Sequence, residues 1–200
     1  MKQNNILVMI TLVLVLLFGS NLTLSQEKKP DMEAAMKKWM EASTPSDAHK
    51  KLNDLVGSWD IATTMWMEGP DKPPATSKGT AELKWVLDGR FLQQNMNGEM
   101  MGMPMNGMGF NGYDNIDKKY TMFWVDNTST AMFTAEGGFD KTGKILTMYG
   151  KMDDLMTGEH DKNAGYVIRF IDKDKWIFEF LDPAVQPNTK VGEIVYTRKK

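Results

Sequence analysis

The sequence predicts a mainly β protein: an antiparallel barrel of about ten strands, preceded by one or two short helices. From Gly57 onward the chain consists of short runs rich in β-branched and aromatic residues. Turn-forming residues separate most of these runs at hairpin spacing, which favours strands that follow one another antiparallel. The 200 residues include no cysteine, so the domain must be stabilised by its core alone. A two-sheet sandwich is the alternative arrangement.

The first 25 residues have the pattern of a secretory signal peptide. Lys2 supplies a positive start, and residues 6–18 are apolar with one exception. Thr23 and Ser25 are small residues at the −3 and −1 positions of a cleavage site. The apolar run is shorter than the roughly 20 residues of a spanning helix, so we expect a periplasmic or secreted protein. An uncleaved N-terminal anchor is the alternative.

Residues 26–56 are predicted to be a polar linker followed by two short helices. Asp31 is a candidate cap for a helix over residues 32–42, which Thr44-Pro45 ends. Ser46 or Asp47 is a candidate cap for the second helix. The first helix places four apolar residues on one face: Met32, Met36, Trp39 and Met40.

Residues 57–200 are predicted to form the barrel. Four turn sequences, at 88–89, 115–118, 140–143 and 172–175, each join two candidate strands. The candidate strands are 58–68, 76–87, 90–97, 107–114, 120–126, 131–138, 145–152, 164–171, 176–181 and 191–197.

Some of these strands are apolar on both faces, as Phe178 and Ile177 illustrate. A barrel wall in water would alternate more cleanly between apolar and polar residues. Either the N-terminal helices cover part of the outer wall, or two barrels pair as a homodimer.

Composition and motifs exclude several function classes. The formal net charge of −2 argues against nucleic acid as a partner, and against a membrane partner unless the signal stays uncleaved. There is no Gly-x-Ser-x-Gly motif and no phosphate-binding loop. Carboxylates near strand ends, such as Asp126 and Asp154, are explained as readily by turn chemistry as by catalysis. We predict no catalytic residue and no cofactor.

The chain contains five short motifs: Gly57-Ser58-Trp59, Gly89-Arg90-Phe91-Leu92, Gly112-Tyr113-Asp114-Asn115, Trp124-Val125-Asp126 and Tyr196-Thr197-Arg198-Lys199. Together these motifs resemble the DUF1579 family, a lipocalin-like group of bacterial proteins. The resemblance covers roughly residues 32–199 and implies a calycin-type barrel in which Trp59 closes one end. It implies no activity. Leu155 and Met105 stand where the family usually has Pro and Phe.

The first functional hypothesis is that the barrel cup binds a small apolar or amphipathic molecule. Related fatty-acid-binding barrels hold a carboxylate with a Tyr and an Arg two residues apart on their last strand. Tyr196 and Arg198 have this spacing in the reverse order. The candidate ligand-binding residues are Trp59, Arg90, Gln93, Trp124, Arg169, Tyr196 and Arg198.

Two other hypotheses remain open. Six methionines between residues 96 and 108 offer thioether ligands for Cu(I), with Met100, Met101, Met103 and Met105 as the candidate set. The same residues suit an adaptable apolar lid. Alternatively, the barrel is filled by its own side chains and serves as a structural or interaction domain. His160 resembles the haem ligand of nitrobindin barrels, but it lies among charged residues, and we expect no haem.

Overall fold

The computed structural model describes residues 31–66, 69, 71–154, 157–183 and 189–200. The predicted signal peptide lies outside these residues. The chain divides into two compact units, residues 1–37 and residues 38–200. Among the described residues, no helix has the length and apolar character needed to cross a membrane.

Helix α1 spans Met32–Ser43, as the sequence predicts. The Asp31 carboxylate caps it, because Oδ1 accepts hydrogen bonds from the backbone N–H groups of Glu33 at 3.1 Å and Ala34 at 3.2 Å. The four apolar residues of its predicted face are exposed.

Helix α2, Asp47–Lys50, and a 3₁₀ turn, Asn53–Leu55, pack onto one end of the barrel. The Ser46 backbone N–H donates to Nδ1 of His49 at 3.0 Å, so His49 completes a reciprocal cap. Leu52 and Leu55 are fully buried in the barrel core. This segment covers the end of the barrel rather than its outer wall, and we call this end the closed end.

The barrel contains ten antiparallel strands, and β1 pairs with β10 to close it. All ten strands predicted from the sequence are present. Their bounds are β1 Gly57–Met65, β2 Ala75–Val86, β3 Phe91–Met100, β4 Met103–Asp114, β5 Lys119–Asp126, β6 Phe133–Phe139, β7 Ile145–Met152, β8 Lys162–Asp172, β9 Lys175–Asp182 and β10 Thr189–Arg198.

The methionine-rich segment is a hairpin and not a loop. Strands β3 and β4 continue to a two-residue turn, in which Met101 and Gly102 have φ of 53° and 79°. Two consecutive positive φ values define the tight hairpin turn that matches the twist of paired strands. The candidate strands 90–97 and 107–114 left residues 98–106 as a connection. Those bounds were too short, because the Gly and Asn residues there occupy strand positions.

Trp59 anchors the closed end. It is fully buried, and its Nε1 donates to the Leu55 carbonyl at 2.9 Å. The Arg198 guanidinium lies 4.1 Å from the Trp59 ring centroid and donates to the Val56 carbonyl at 2.7 Å. These contacts join β10 to the segment that precedes β1.

The opposite end of the barrel is formed by the ends of β1, β3, β5, β7 and β9 and the starts of the strands that follow them. We call this end the mouth. Asp126, Met152 and Asp182 are the last residues of three of these strands and mark its rim.

Candidate functional site

The interior near the mouth is accessible, whereas the interior near the closed end is filled. Strand β9 illustrates the difference. Its inward-facing Phe178 and Phe180 retain accessible surface, while the outward-facing Glu179 and Leu181 are only 8% and 9% exposed. In a barrel filled by its own side chains, the inward-facing residues would be buried and the outward-facing residues exposed. The partly exposed apolar residues that line this space, which we call the cup, are Met122, Trp124, Met152, Phe178 and Phe180.

An aromatic group forms one side of the cup. The Tyr166 ring centroid lies 5.8 Å from that of Phe178 and 6.2 Å from that of Phe180, and these two rings are 5.0 Å apart. Burial raises the pKa of the Tyr166 hydroxyl, which is therefore neutral at physiological pH. This wall offers aromatic faces with one neutral polar group.

Trp124 lies flat against the opposite wall because the strand beside it carries glycine. A Cβ at Gly107 would collide with the Trp124 ring, and a Cβ at Gly109 would lie 2.7 Å from ring atom Cε3. At the rim, Trp124 Nε1 donates to Asp126 Oδ2 at 2.8 Å. The two glycines and the carboxylate together keep the indole out of the lumen.

Asp126 is a charged group at the rim. Burial raises its pKa, but hydrogen bonds from Thr128, Trp124 and the backbone of Thr128 and Ser129 outweigh burial, and the net shift is downward. Asp126 therefore carries a full negative charge at neutral pH.

A second charged group lies across the mouth. Lys162 Nζ contacts Asp154 Oδ2 at 2.9 Å and Asp182 Oδ2 at 2.8 Å, and all three side chains are largely buried. Hydrogen bonds to Asp182 and Asp154 raise the pKa of Lys162. The group combines two carboxylates with one ammonium, so its formal charges sum to a negative value.

The floor of the cup is polar. Gln94 Nε2 donates to the Tyr196 hydroxyl at 3.0 Å, and this hydroxyl lies 3.9 Å from Met96 Sδ. Asn111 faces inward and is 8% exposed, and its Oδ1 accepts no hydrogen bond. Trp176 Nε1, further towards the closed end, is likewise buried and unpaired. Buried polar atoms usually have partners, so Asn111 is an acceptor available to a bound molecule.

The predicted ligand-binding residues lie in three different places. Trp124 lines the cup, and Tyr196 lies in its floor, stacked on Trp176 at 3.5 Å. Trp59 and Arg198 belong to the closed end. The proposed similarity of Tyr196 and Arg198 to a carboxylate site is not matched by geometry, because the Arg198 guanidinium donates to backbone carbonyls there.

The remaining three predicted residues face away from the interior. Arg90 donates to the Leu87 carbonyl in the β2–β3 turn. Gln93 contacts Asn95 and Met108 on the outer wall. Arg169 pairs with Glu179 at 2.8 Å, also on the outer wall. Their role in ligand binding stays a prediction.

The methionines of the copper hypothesis are spread along the hairpin. Met100, Met101 and Met103 are between 40% and 67% exposed, whereas Met105 is 8% exposed and belongs to the core. Copper binding by these residues stays a prediction. Within the described part of the chain, no group of three or more His, Cys, Asp or Glu side chains is placed to hold a metal ion.

Sequence reasoning missed Lys162, Asp182 and Asn111. The alternation of β8 and β9 carries a usable signal, since Lys162 and Asp182 continue the inward-facing positions of Tyr166 and Phe180. A charged residue at an apolar position of a strand pattern indicates either a rim or a site. Asn111 is an uncharged polar residue at such an inward-facing position of β4.

A solved structure has a fold similar to this barrel. The crystal structure of Rv2717c from M. tuberculosis superposes with a TM-score of 0.54 at 16% identity, covering 78% of this chain and 100% of that one. A redesigned β-barrel matches with a TM-score of 0.38 at 14% identity, covering 75% of this chain and 96% of that one. At this identity, the first similarity supports the fold alone. A comparison with curated proteins found no match.

The family comparison gives the stronger result. The model of a protein family of unknown function, DUF1579, matches residues 44–198, from the residue that follows α1 to the end of β10. The match includes the closed end, every strand and the cup. The chain therefore belongs to the DUF1579 family, whose β-barrel is the structure described above.

Proposed function

We propose that this protein binds a small amphipathic molecule in the cup. The observation that carries the proposal is the inverted exposure of β9, where inward-facing Phe178 and Phe180 remain accessible while their outward-facing neighbours are buried. Apolar side chains around an accessible concave space favour an apolar ligand body. Each methylene group that such a ligand buries contributes about 0.8 kcal/mol.

The polar groups of the cup support an amphipathic rather than a purely apolar ligand. Asn111 Oδ1 is buried without a hydrogen-bond donor, and such an atom costs about 1–3 kcal/mol. A ligand donor that reached Asn111 would recover part of this free energy. The charged groups at the rim would then contact the end of the ligand that stays near water.

We further propose that the protein works after export. The proposal rests on the signal-peptide pattern of residues 1–25. Fractionation of the source cells and N-terminal sequencing of the purified protein test it. The expected mature chain begins at Gln26, and a cytoplasmic protein with residues 1–25 retained would contradict export.

Blocking the cup tests ligand binding directly. Met152 lines the cup at the rim, and Lys151 beside it faces outward on the same strand. We expect Met152→Trp to reduce displacement of a fluorescent apolar probe at least tenfold, and Lys151→Trp to leave it unchanged. Native mass spectrometry of the protein purified from its source should reveal a bound small molecule. No probe binding to the folded wild-type protein would refute the proposal.

A further inference from the structure

We infer that the cup selects amphiphiles with a cationic head over anionic ones such as fatty acids. This inference rests on the proposed function and adds the charge class of the ligand. It depends on the charges at the mouth, on the absence of a free inward-facing cation among the described residues, and on the hydrogen-bonding character of the floor.

Carboxylates dominate the mouth. Asp126 is held at the rim by Trp124, and Asp182 ends β9 on the inward-facing side. The segment that joins β7 to β8 adds acidic residues, and Asp153 there lies 3.3 Å from the ring of His160. The acidic residues at the mouth include Asp71, Glu99, Asp126, Asp153, Asp154, Glu159, Asp161 and Asp182.

The described part of the interior offers no free cation to an anionic head. Arg169 and Arg198 pair on the outer wall and at the closed end. Lys162 is the inward-facing lysine, and two carboxylates already hold its ammonium group. A ligand carboxylate would have to compete with both carboxylates for this ammonium group.

Aromatic faces line the path below these carboxylates. Trp124 is both the donor to Asp126 and part of the cup wall. Its indole face can stabilise a cation, in addition to the attraction of the carboxylate. A carboxylate beside an aromatic face is an arrangement suited to an ammonium group.

The floor provides an independent observation. Asn111 Oδ1 is more than nine-tenths buried, faces the cup, and accepts no hydrogen bond. In the strand register, Gly107 is opposite Asp126 and Asn111 is opposite Met122. Four residues separate the two levels, about 13 Å along the strand. Asp126 at the rim and Asn111 Oδ1 at the floor both accept hydrogen bonds, so a ligand donor can be bound at either level.

The distribution of charge along the barrel also favours a cationic ligand at the mouth. The closed end carries Lys141, Lys144 and the C-terminal Lys199 and Lys200, and basic residues there outnumber acidic ones. At the mouth the acidic residues are in excess. Such a distribution attracts cations toward the mouth and raises their association rate at low ionic strength.

Three probes with the same tail test the inference: decylammonium, decanol and decyl sulfate. Each is titrated calorimetrically into the wild-type protein, the two ionic probes below their critical micelle concentrations and decanol below its solubility limit. We expect decylammonium to bind at least tenfold more tightly than decyl sulfate, with decanol between them. This preference should decrease as salt is raised. Equal affinities, or tighter binding of decyl sulfate, would overturn the inference and leave the cup function intact. Binding of none of the three probes would refute both.

Two variants locate the preference. Asp126→Asn removes a rim carboxylate, and we expect it to weaken decylammonium binding severalfold while decanol binding changes little. Asp117→Asn removes a carboxylate from the β4–β5 turn at the closed end and should change neither. If Asp126→Asn lowers the affinities for decylammonium and decanol equally, the carboxylate acts through Trp124 packing, and the inference loses its support at this residue.

Discussion

The indole nitrogen of Trp124 donates a hydrogen bond to Asp126 at 2.8 Å, and this bond holds an aromatic ring against the barrel wall. The ring fits there because Gly107 and Gly109 leave the space that side chains would fill. The relationship joins three features of the cup: its aromatic lining, its charged rim and its open lumen. A change in any of them should be detectable as a change in the position of Trp124.

Gly107→Ala should displace Trp124 into the lumen. The new methyl group would occupy the position of the indole, and we expect a loss of about 1–3 kcal/mol in the free energy of unfolding. Binding of an apolar probe should fall as well. Gly138→Ala is the matched control, because a Cβ at Gly138 meets nothing within 4 Å. Chemical denaturation of both variants checks the prediction, and equal stabilities would contradict the packing described for Trp124.

Protonation of Asp126 at low pH should change the environment of Trp124. Its pKa is lowered in the folded state, so its contribution to stability is present above the pKa of an unfolded aspartate, about 3.9, and is lost as the pH falls through the folded value. We expect tryptophan fluorescence to change below about pH 4, before global unfolding. In Asp126→Asn this early step should be missing. A step of the same size in the variant would assign it to another carboxylate.

The barrel itself was predictable from local sequence, and the cup was not. Turns such as Asp88-Gly89 and strands such as residues 145–152 are specified by residues that are neighbours in the sequence. All ten strands could therefore be predicted from local patterns. The methionine hairpin was missed because Met101-Gly102 is a weaker turn sequence than Asn-Gly. The Lys162 group depends on three residues from two strands and a connecting segment, and no local pattern brings these together.

Lys162→Met should destabilise the mouth. The substitution would leave Asp154 and Asp182 near each other without their shared ammonium. We expect a loss of about 1–3 kcal/mol, below the cost at a fully buried site because water reaches the rim. Lys50→Met is the control, since its pair with Asp47 is exposed and its removal should leave the melting temperature unchanged. A wild-type melting temperature for Lys162→Met would contradict a structural role for the group.

His49 should make the closed end sensitive to mild acid. Its Nδ1 accepts the Ser46 backbone N–H, which requires this nitrogen to be unprotonated. Burial and the charge of Arg90 lower the pKa of His49 from its ordinary value of 6.5. Because the folded pKa is depressed, the contribution of His49 to stability is present above pH 6.5 and is lost as the pH falls through the folded value.

The variant His49→Gln distinguishes the helix-capping hydrogen bond from the protonation of the side chain. A glutamine at this position keeps a side-chain acceptor for the Ser46 N–H but does not titrate. We therefore expect unfolding free energies measured between pH 7 and pH 5 to fall for the wild-type protein and to stay nearly constant for His49→Gln. His160→Gln is the control, because the His160 side chain is 84% exposed and contacts Asp153 at the surface. If His160→Gln rather than His49→Gln removed the slope, the acid sensitivity would belong to the mouth, and the cap at the closed end would have no part in it.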